Sequence, residues 1–198
     1  MSNVLIIIDV QNDFCPGGNL AVTGGDEIVP FINELAAEHK HVVLTQDWHP
    51  EGHSSFASQH HGYAPFTQIE MSYGPQTLWP DHCIIGSAGA AFHRDLDVPH
   101  AELVIRKGFR KAIDSYSAFF ENDHKTPTGL GGYLKERGFT KITLVGLALD
   151  YCVRYSAEDA KTLGFETEVL ERATRAIDLG GTLAATRQSF AERGIVLR

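Results

Sequence analysis

Short apolar, β-branched runs recur along the chain, at residues 3–9, 41–47, 101–106, 141–147 and 166–170, with a weaker one at 194–197. Most are near-continuous rather than alternating, as in Val4-Leu5-Ile6-Ile7-Ile8. That pattern suits strands buried on both faces of a parallel sheet. Between them, apolar residues return at helical spacing. Residues 26–38 put Ile28, Phe31, Ile32 and Leu35 on one face, with Pro30 near the first turn, where a missing N–H costs nothing. The stretches 129–137, 151–163 and 182–193 are each followed by a glycine (Gly138, Gly164, Gly194), the residue that best adopts the left-handed helix stop. This alternation predicts an α/β protein: a three-layer α/β/α sandwich around a mostly parallel sheet of about six strands, joined by right-handed crossovers.

One region breaks the rhythm. From residue 48 to about 100 the chain is rich in Trp, His, Pro and Gly and shows little periodicity. A connection that long is usually functional. It leaves the C-terminal end of the second strand, where open α/β sheets bind their ligands.

With 198 residues and 43% hydrophobic positions, the chain has enough material for one globular domain, 1–198, with its own core. A net charge of −8 argues against nucleic-acid and membrane-surface roles, both of which need a basic face. No basic segment precedes the first apolar run, which is far too short to span a bilayer. Three cysteines, with no CxxC pair, argue against a disulfide framework. A cytoplasmic protein with free thiols is expected.

Four clusters could carry chemistry, each at or just beyond a strand end. Asp9 closes the first strand in Asp9-Val10-Gln11-Asn12-Asp13-Phe14, either in a cleft or as a turn acid. Asp47-Trp48-His49, followed by His53, places an acid and an imidazole two residues apart, able to point the same way. With a third ligand from Trp79-Pro80-Asp81-His82-Cys83 they would suit zinc, iron or manganese, although ten histidines make chance pairing a fair alternative. Lys107 follows the strand at 101–106 and by itself reads equally as a surface lysine. Finally, Val145-Gly146-Leu147-Ala148-Leu149-Asp150-Tyr151-Cys152 runs from a strand through a tight turn to a helix start near Cys152. A helix N-terminus favours a thiolate, and its free N–H groups can hold an oxyanion. The alternative is a buried structural thiol. Cys15 and Cys83 lack the strand-to-helix setting.

Taken together and in this order, the clusters resemble the nicotinamidase (pyrazinamidase) branch of the isochorismatase-like cysteine hydrolases, whose fold is Rossmann-like. The carrying segments are DVQNDFCPGG from Asp9, DWHPEGHSSF from Asp47, YGPQTLWPDHC from Tyr73, RKG from Arg106, DSYSAF from Asp114 and GLALDYCV from Gly146, so the likeness covers essentially the whole chain. It implies a catalytic triad of Asp9, Lys107 and Cys152. It implies one divalent metal ion (Zn, Fe or Mn) on Asp47, His49 and His82, with His53 a ligand in some members only. It implies a ring pocket walled by Phe14, Trp79 and Tyr151. The Leu147–Ala148 bond matches a cis peptide that would turn the Ala148 N–H toward an oxyanion beside that of Cys152. Leu149 stands where a threonine is frequent. The implied reaction is hydrolysis of nicotinamide to nicotinic acid and ammonia in NAD salvage, through a thioester on Cys152, with pyrazinamide as a further substrate. The metal would hold the pyridine nitrogen and place the substrate.

The implied partner is the small-molecule substrate alone, with neither nucleic acid nor membrane, in a monomer or homo-oligomer. Rival readings are an isochorismatase, which needs no active-site cysteine, and a ureide or carbamoyl amidohydrolase, which needs no metal set. A non-catalytic binding module on the same fold and a redox thiol protein are more distant alternatives.

Overall fold

The computed structural model describes residues 2–198. Its centre is a sheet of six strands: β1 (Asn3–Ile8), β2 (Val42–Asp47), β5 (Leu103–Lys107), β6 (Lys141–Leu147), β7 (Glu166–Arg175) and β8 (Val196–Leu197). Their order is β5-β2-β1-β6-β7-β8 and every pairing is parallel. The strands therefore all end on one edge, and Asp9, Asp47, Lys107 and Ala148 arrive there together.

Period-two geometry splits the apolar runs between two cores. Leu5 and Ile7 of β1 pack with Val42 and Leu44 against α1 (Val29–Glu38). Val4, Ile6 and Ile8 face the other way, onto a core shared with Leu130 and Leu134 of α2 (Leu130–Glu136), Ala157 of α3 (Arg154–Thr162) and Phe190 of α4 (Thr182–Arg193). Both faces are covered, which is why the strands read as continuous apolar runs. Pro30 sits in the first turn of α1, and Gly194, at φ 63, closes α4 as expected.

Three elements depart from the sequence reading. β7 runs five residues past the expected end at 170, because a register shift opposite Leu144 and Gly146 carries the polar Glu171-Arg172 stretch along the sheet. The irregular region holds an antiparallel hairpin, β3 (Gln68–Met71) with β4 (Gly74–Thr77), whose polar, half-exposed strands give no apolar signal. The third departure lies at the nucleophile turn. Residues Leu149–Val153 form one wide turn in which Val153 N–H donates to Ala148 O at 3.1 Å, and α3 begins only at Arg154. Among the described residues, no helix is long and apolar enough to cross a membrane.

Gly146 has a specific reason to be glycine. It takes φ 109, and a Cβ there would collide with the backbone of Ile8 on the neighbouring strand. The close approach of β6 to β1 brings the turn after β6 over the end of β1.

Candidate active site and metal centre

Asp9 is the first residue beyond β1. It adopts a left-handed conformation, φ 47, which turns the chain off the sheet and leaves the carboxylate inside. Aspartate tolerates this region better than most residues. Thr45 Oγ1 donates to its Oδ1 at 2.6 Å, and Lys107 Nζ lies 2.8 Å from Oδ2. Lys107 ends β5 and is 1% exposed. Its ammonium also lies 3.0 Å from Asp47 Oδ1, 2.8 Å from the Ser115 carbonyl and 3.5 Å from Cys152 Sγ. The surface-lysine alternative is therefore excluded by geometry.

Electrostatics inside this cluster follow from burial. Burial opposes the Lys107 charge, but Asp47, Asp9 and the Cys152 sulfur outweigh it and hold the ammonium well above the ordinary lysine range. Burial pushes the Asp9 carboxyl up, and Lys107 offsets only part of that. Burial also pushes the Cys152 thiol well above the ordinary cysteine value, with Lys107 pulling down and Asp9 and Asp47 pushing further up. Cys152 sits, as the strand-to-helix spacing implied, in the helical turn that leads into α3, but complete burial favours its thiol over the thiolate that a helix start by itself would promote. The main cause is desolvation, with the Asp9 and Asp47 carboxylates adding to it.

Asp47 joins this cluster to a second one. Its Oδ1 faces Lys107, while Oδ2 lies 3.0 Å from His49 Nε2 and 3.3 Å from His82 Nε2. One ligand atom from each of Asp47, His49 and His82 lies within 4.8 Å of the others, and all three residues are buried. The histidine tautomers are set from behind. His49 Nδ1 lies 2.9 Å from Gly108 O and His82 Nδ1 2.8 Å from Pro80 O, so each Nδ1–H donates and each Nε2 lone pair points inward. Three electron-pair donors converge, and a divalent cation with nitrogen and oxygen ligands fits them. Gly108 is part of the same design. At φ 69 it presents its carbonyl to His49, and a Cβ would lie 2.5 Å from His49 Cε1.

His53 is adjacent, with its ring centroid 4.4 Å from that of His49, yet both its nitrogens are engaged elsewhere. Nδ1 meets Ser55 Oγ at 2.8 Å, and Nε2 faces the carbonyls of Arg110 at 3.0 Å and Ile113 at 3.1 Å. It stands behind the convergent set rather than in it.

A small, mostly apolar pocket opens onto both clusters. Phe14, Trp79 and Tyr151 line it, along with Ala148, Cys152, His82 and Asp47. The Leu147–Ala148 peptide is cis. Four further lining residues escaped the sequence reading: Leu20, Asp114, Tyr116 and Ile177. Tyr116 and Asp114 belong to the DSYSAF segment, which carried the resemblance without assigned roles. Trp79 Nε1 donates to Tyr116 Oη at 3.1 Å, and the Trp79 and Tyr151 rings meet edge-on at 4.9 Å. Ile177 is held by Asp150, whose carboxylate accepts from Ile177 N at 2.9 Å, Asp178 N at 2.8 Å and Thr182 Oγ1 at 2.5 Å. Periodicity could not reveal these four, because each reaches the pocket through tertiary contacts.

Residues 3–197 match the family model described as the isochorismatase domain. A protein of Acinetobacter baylyi named nicotinamidase is 52% identical over 191 residues, 96% of this chain and 89% of that protein. A solved structure of an Acinetobacter baumannii nicotinamidase/pyrazinamidase superposes with a TM-score of 0.98 at 54% identity, covering 99% of this chain and 95% of the other. The Pyrococcus horikoshii pyrazinamidase, solved in complex with zinc, superposes with a TM-score of 0.82 at 32% identity, covering 100% and 99% of the two chains.

Proposed function

The chain belongs to the isochorismatase domain family, and we propose that within it this protein hydrolyses nicotinamide to nicotinic acid and ammonia through a thioester on Cys152. The observation that carries the mechanism is one buried contact set: Lys107 Nζ sits 2.8 Å from Asp9 Oδ2 and 3.5 Å from Cys152 Sγ, at the wall of an aromatic pocket.

The raised thiol means that proton transfer and attack belong together. The Cys152 thiol gives its proton to Asp9 as sulfur attacks the carboxamide carbon; the C–S bond forms and the carbonyl π pair moves to oxygen. Lys107 steadies the charge on sulfur and carboxylate throughout. The N–H groups of Ala148 and Cys152 receive the oxyanion, and one such donor is typically worth ~3 kcal/mol. The Tyr151 and Val153 N–H groups are spent on the Ala148 carbonyl, each at 3.1 Å. Collapse of the adduct breaks the C–N bond, and Asp9 hands its proton to the leaving nitrogen. Asp9 then takes a proton from water as the water oxygen attacks the thioester. The C–S bond breaks, the acid departs, and Asp9 returns the proton to sulfur.

Asp47, His49 and His82 would hold one divalent metal, Zn, Fe or Mn, which when bound offers a coordination position to a ring nitrogen. Phe14, Trp79 and Tyr151 pack the ring, and such positioning can supply several kcal/mol toward the barrier. Pyrazinamide, a similarly sized diazine carboxamide, fits the same description. The whole of 1–198 serves as one catalytic domain acting on a small molecule, in the cytoplasm, as a monomer or homo-oligomer. The free Cys15, Cys83 and Cys152 and the net charge of −8 support that setting.

The test is ammonia release from nicotinamide by the purified protein, by Cys152→Ala with matched metal content, and by the protein after chelation. Turnover lost in Cys152→Ala and a raised KM after chelation are expected. Full turnover by Cys152→Ala would overturn the covalent mechanism, and an unchanged KM after chelation would overturn the placement role.

A further inference from the structure

The Gln11 side chain takes the place of a strand. The β1–β2 ladder ends with Ile7 opposite Leu44, because Asp9 turns the backbone away. On its other side β2 stays paired with β5 as far as Asp47 opposite Lys107. The last residues of β2 thus lose a backbone partner on the β1 side just where the acid ligand sits. Buried polar backbone must find another.

Gln11, fully buried, supplies it. Asp47 N–H donates to Gln11 Oε1 at 2.8 Å, and Gln11 Nε2 donates to Asp47 O at 2.9 Å. The second Nε2 hydrogen goes to Ala90 O, also at 2.9 Å. One carboxamide therefore closes the backbone of Asp47 as a neighbouring peptide would, and ties it to the segment that returns past His82. Two residues on, Asp13 Oδ2 accepts from Cys83 N–H at 2.7 Å, and Cys83 O accepts from His49 N–H at 3.0 Å. The backbones carrying all three ligands are thus anchored, directly or through one link, to the turn after β1.

We propose that Gln11 is a positioning residue for the metal centre: its carboxamide fixes the Asp47 backbone so that Oδ2 faces His49 and His82 while Oδ1 faces Lys107. The inference rests on the assignment of Asp47, His49 and His82 as metal ligands. Gln11 touches neither the metal nor the substrate, and its effect passes through Asp47.

The experiment measures Zn²⁺ affinity of the full chain by competition with a chromogenic chelator, and thermal midpoints with and without Zn²⁺. The proteins are wild type, Gln11→Met, Gln11→Glu and Asp47→Ala. Gln11→Met keeps the volume and removes both hydrogen-bonding ends. Gln11→Glu keeps the acceptor for Asp47 N–H but turns a carboxylate oxygen toward two carbonyls. Both should bind Zn²⁺ about 10- to 100-fold more weakly, the usual effect of losing a group that orients a ligand. The midpoint gain on adding Zn²⁺ should shrink accordingly, and KM should rise more than kcat falls. A purely structural role would lower the midpoint equally with and without Zn²⁺ and leave the affinity unchanged; that result in Gln11→Glu alone overturns the proposal. Failure of the underlying assignment looks different: wild type would bind no stoichiometric Zn²⁺, or Asp47→Ala would bind it as wild type does.

Discussion

Replacing Lys107 with methionine removes the only cation that the Asp9 and Cys152 side chains contact among the described residues, at nearly constant volume. At 2.8 Å from Asp9 and 3.0 Å from Asp47, each attraction is about 6 kcal/mol for an effective dielectric near 20. Much of that offsets the cost of burying the ammonium, which methionine does not incur. Two carboxylates then share a dry site, and breaking a buried pair in this way costs about 3–5 kcal/mol. The loss depends on pH with a definite sign. Burial already raises Asp9, and losing the lysine raises it further. A carboxyl raised in the folded state binds its proton more tightly there than in the unfolded chain, so its contribution is fully present at low pH and is lost as pH rises through the folded value. The stability deficit of Lys107→Met should therefore be largest near about pH 8 and shrink toward about pH 5. Urea unfolding at both pH values measures it. In the same variant kcat/KM for nicotinamide should fall on the order of 10³-fold, equivalent to ~4 kcal/mol. Wild-type stability at both pH values, or a deficit that grows on acidification, would refute the electrostatic reasoning.

Tyr116→Phe removes the acceptor for Trp79 Nε1 and leaves a buried N–H unpaired, a loss of about 1–3 kcal/mol. The midpoint should drop and KM should rise with little change in kcat, read by thermal scan and steady-state kinetics. Asp150→Ala frees the 177–182 segment that carries the pocket wall at Ile177. At ~2 kcal/mol lost, the midpoint should fall by roughly 4–8 °C, and a rise in KM would accompany it. In chelated protein, iodoacetamide should alkylate Cys152 slowly at neutral pH and ever faster up to and beyond pH 9.0, because burial keeps the thiol protonated. A rate plateau near pH 7, seen by mass spectrometry of the labelled peptide, would instead indicate a resting thiolate.

The strand runs, the glycine stops and the order of the four clusters were legible in the chain because each depends on neighbours a few residues away. β6, α4 and the strand-end positions of Asp9, Asp47 and Lys107 follow from periodicity and from the rule that parallel strands share an edge. The segments DVQNDF, DWH, WPDHC, RKG and GLALDYCV then pointed to the proposed triad and the candidate ligand set. What tertiary structure decided is everything that depends on distance across the sheet. It turned both nitrogens of His53 away from the ligand set, brought Tyr116 and Ile177 to the pocket, and made Gln11 the missing partner of Asp47. It also set burial against the helix start at Cys152, raising the thiol's hold on its proton. A strand-to-helix spacing can place a thiol at a turn, but the thiol's proton affinity depends on how completely water is excluded and on which charges three other strand ends deliver. The identity of the chemistry was thus local, written in residue types at strand ends, whereas its protonation states and the aim of its ligands came from burial and from contacts between residues far apart in the chain, such as Gln11 with Asp47, 36 positions apart, and Lys107 with Asp47, 60 positions apart.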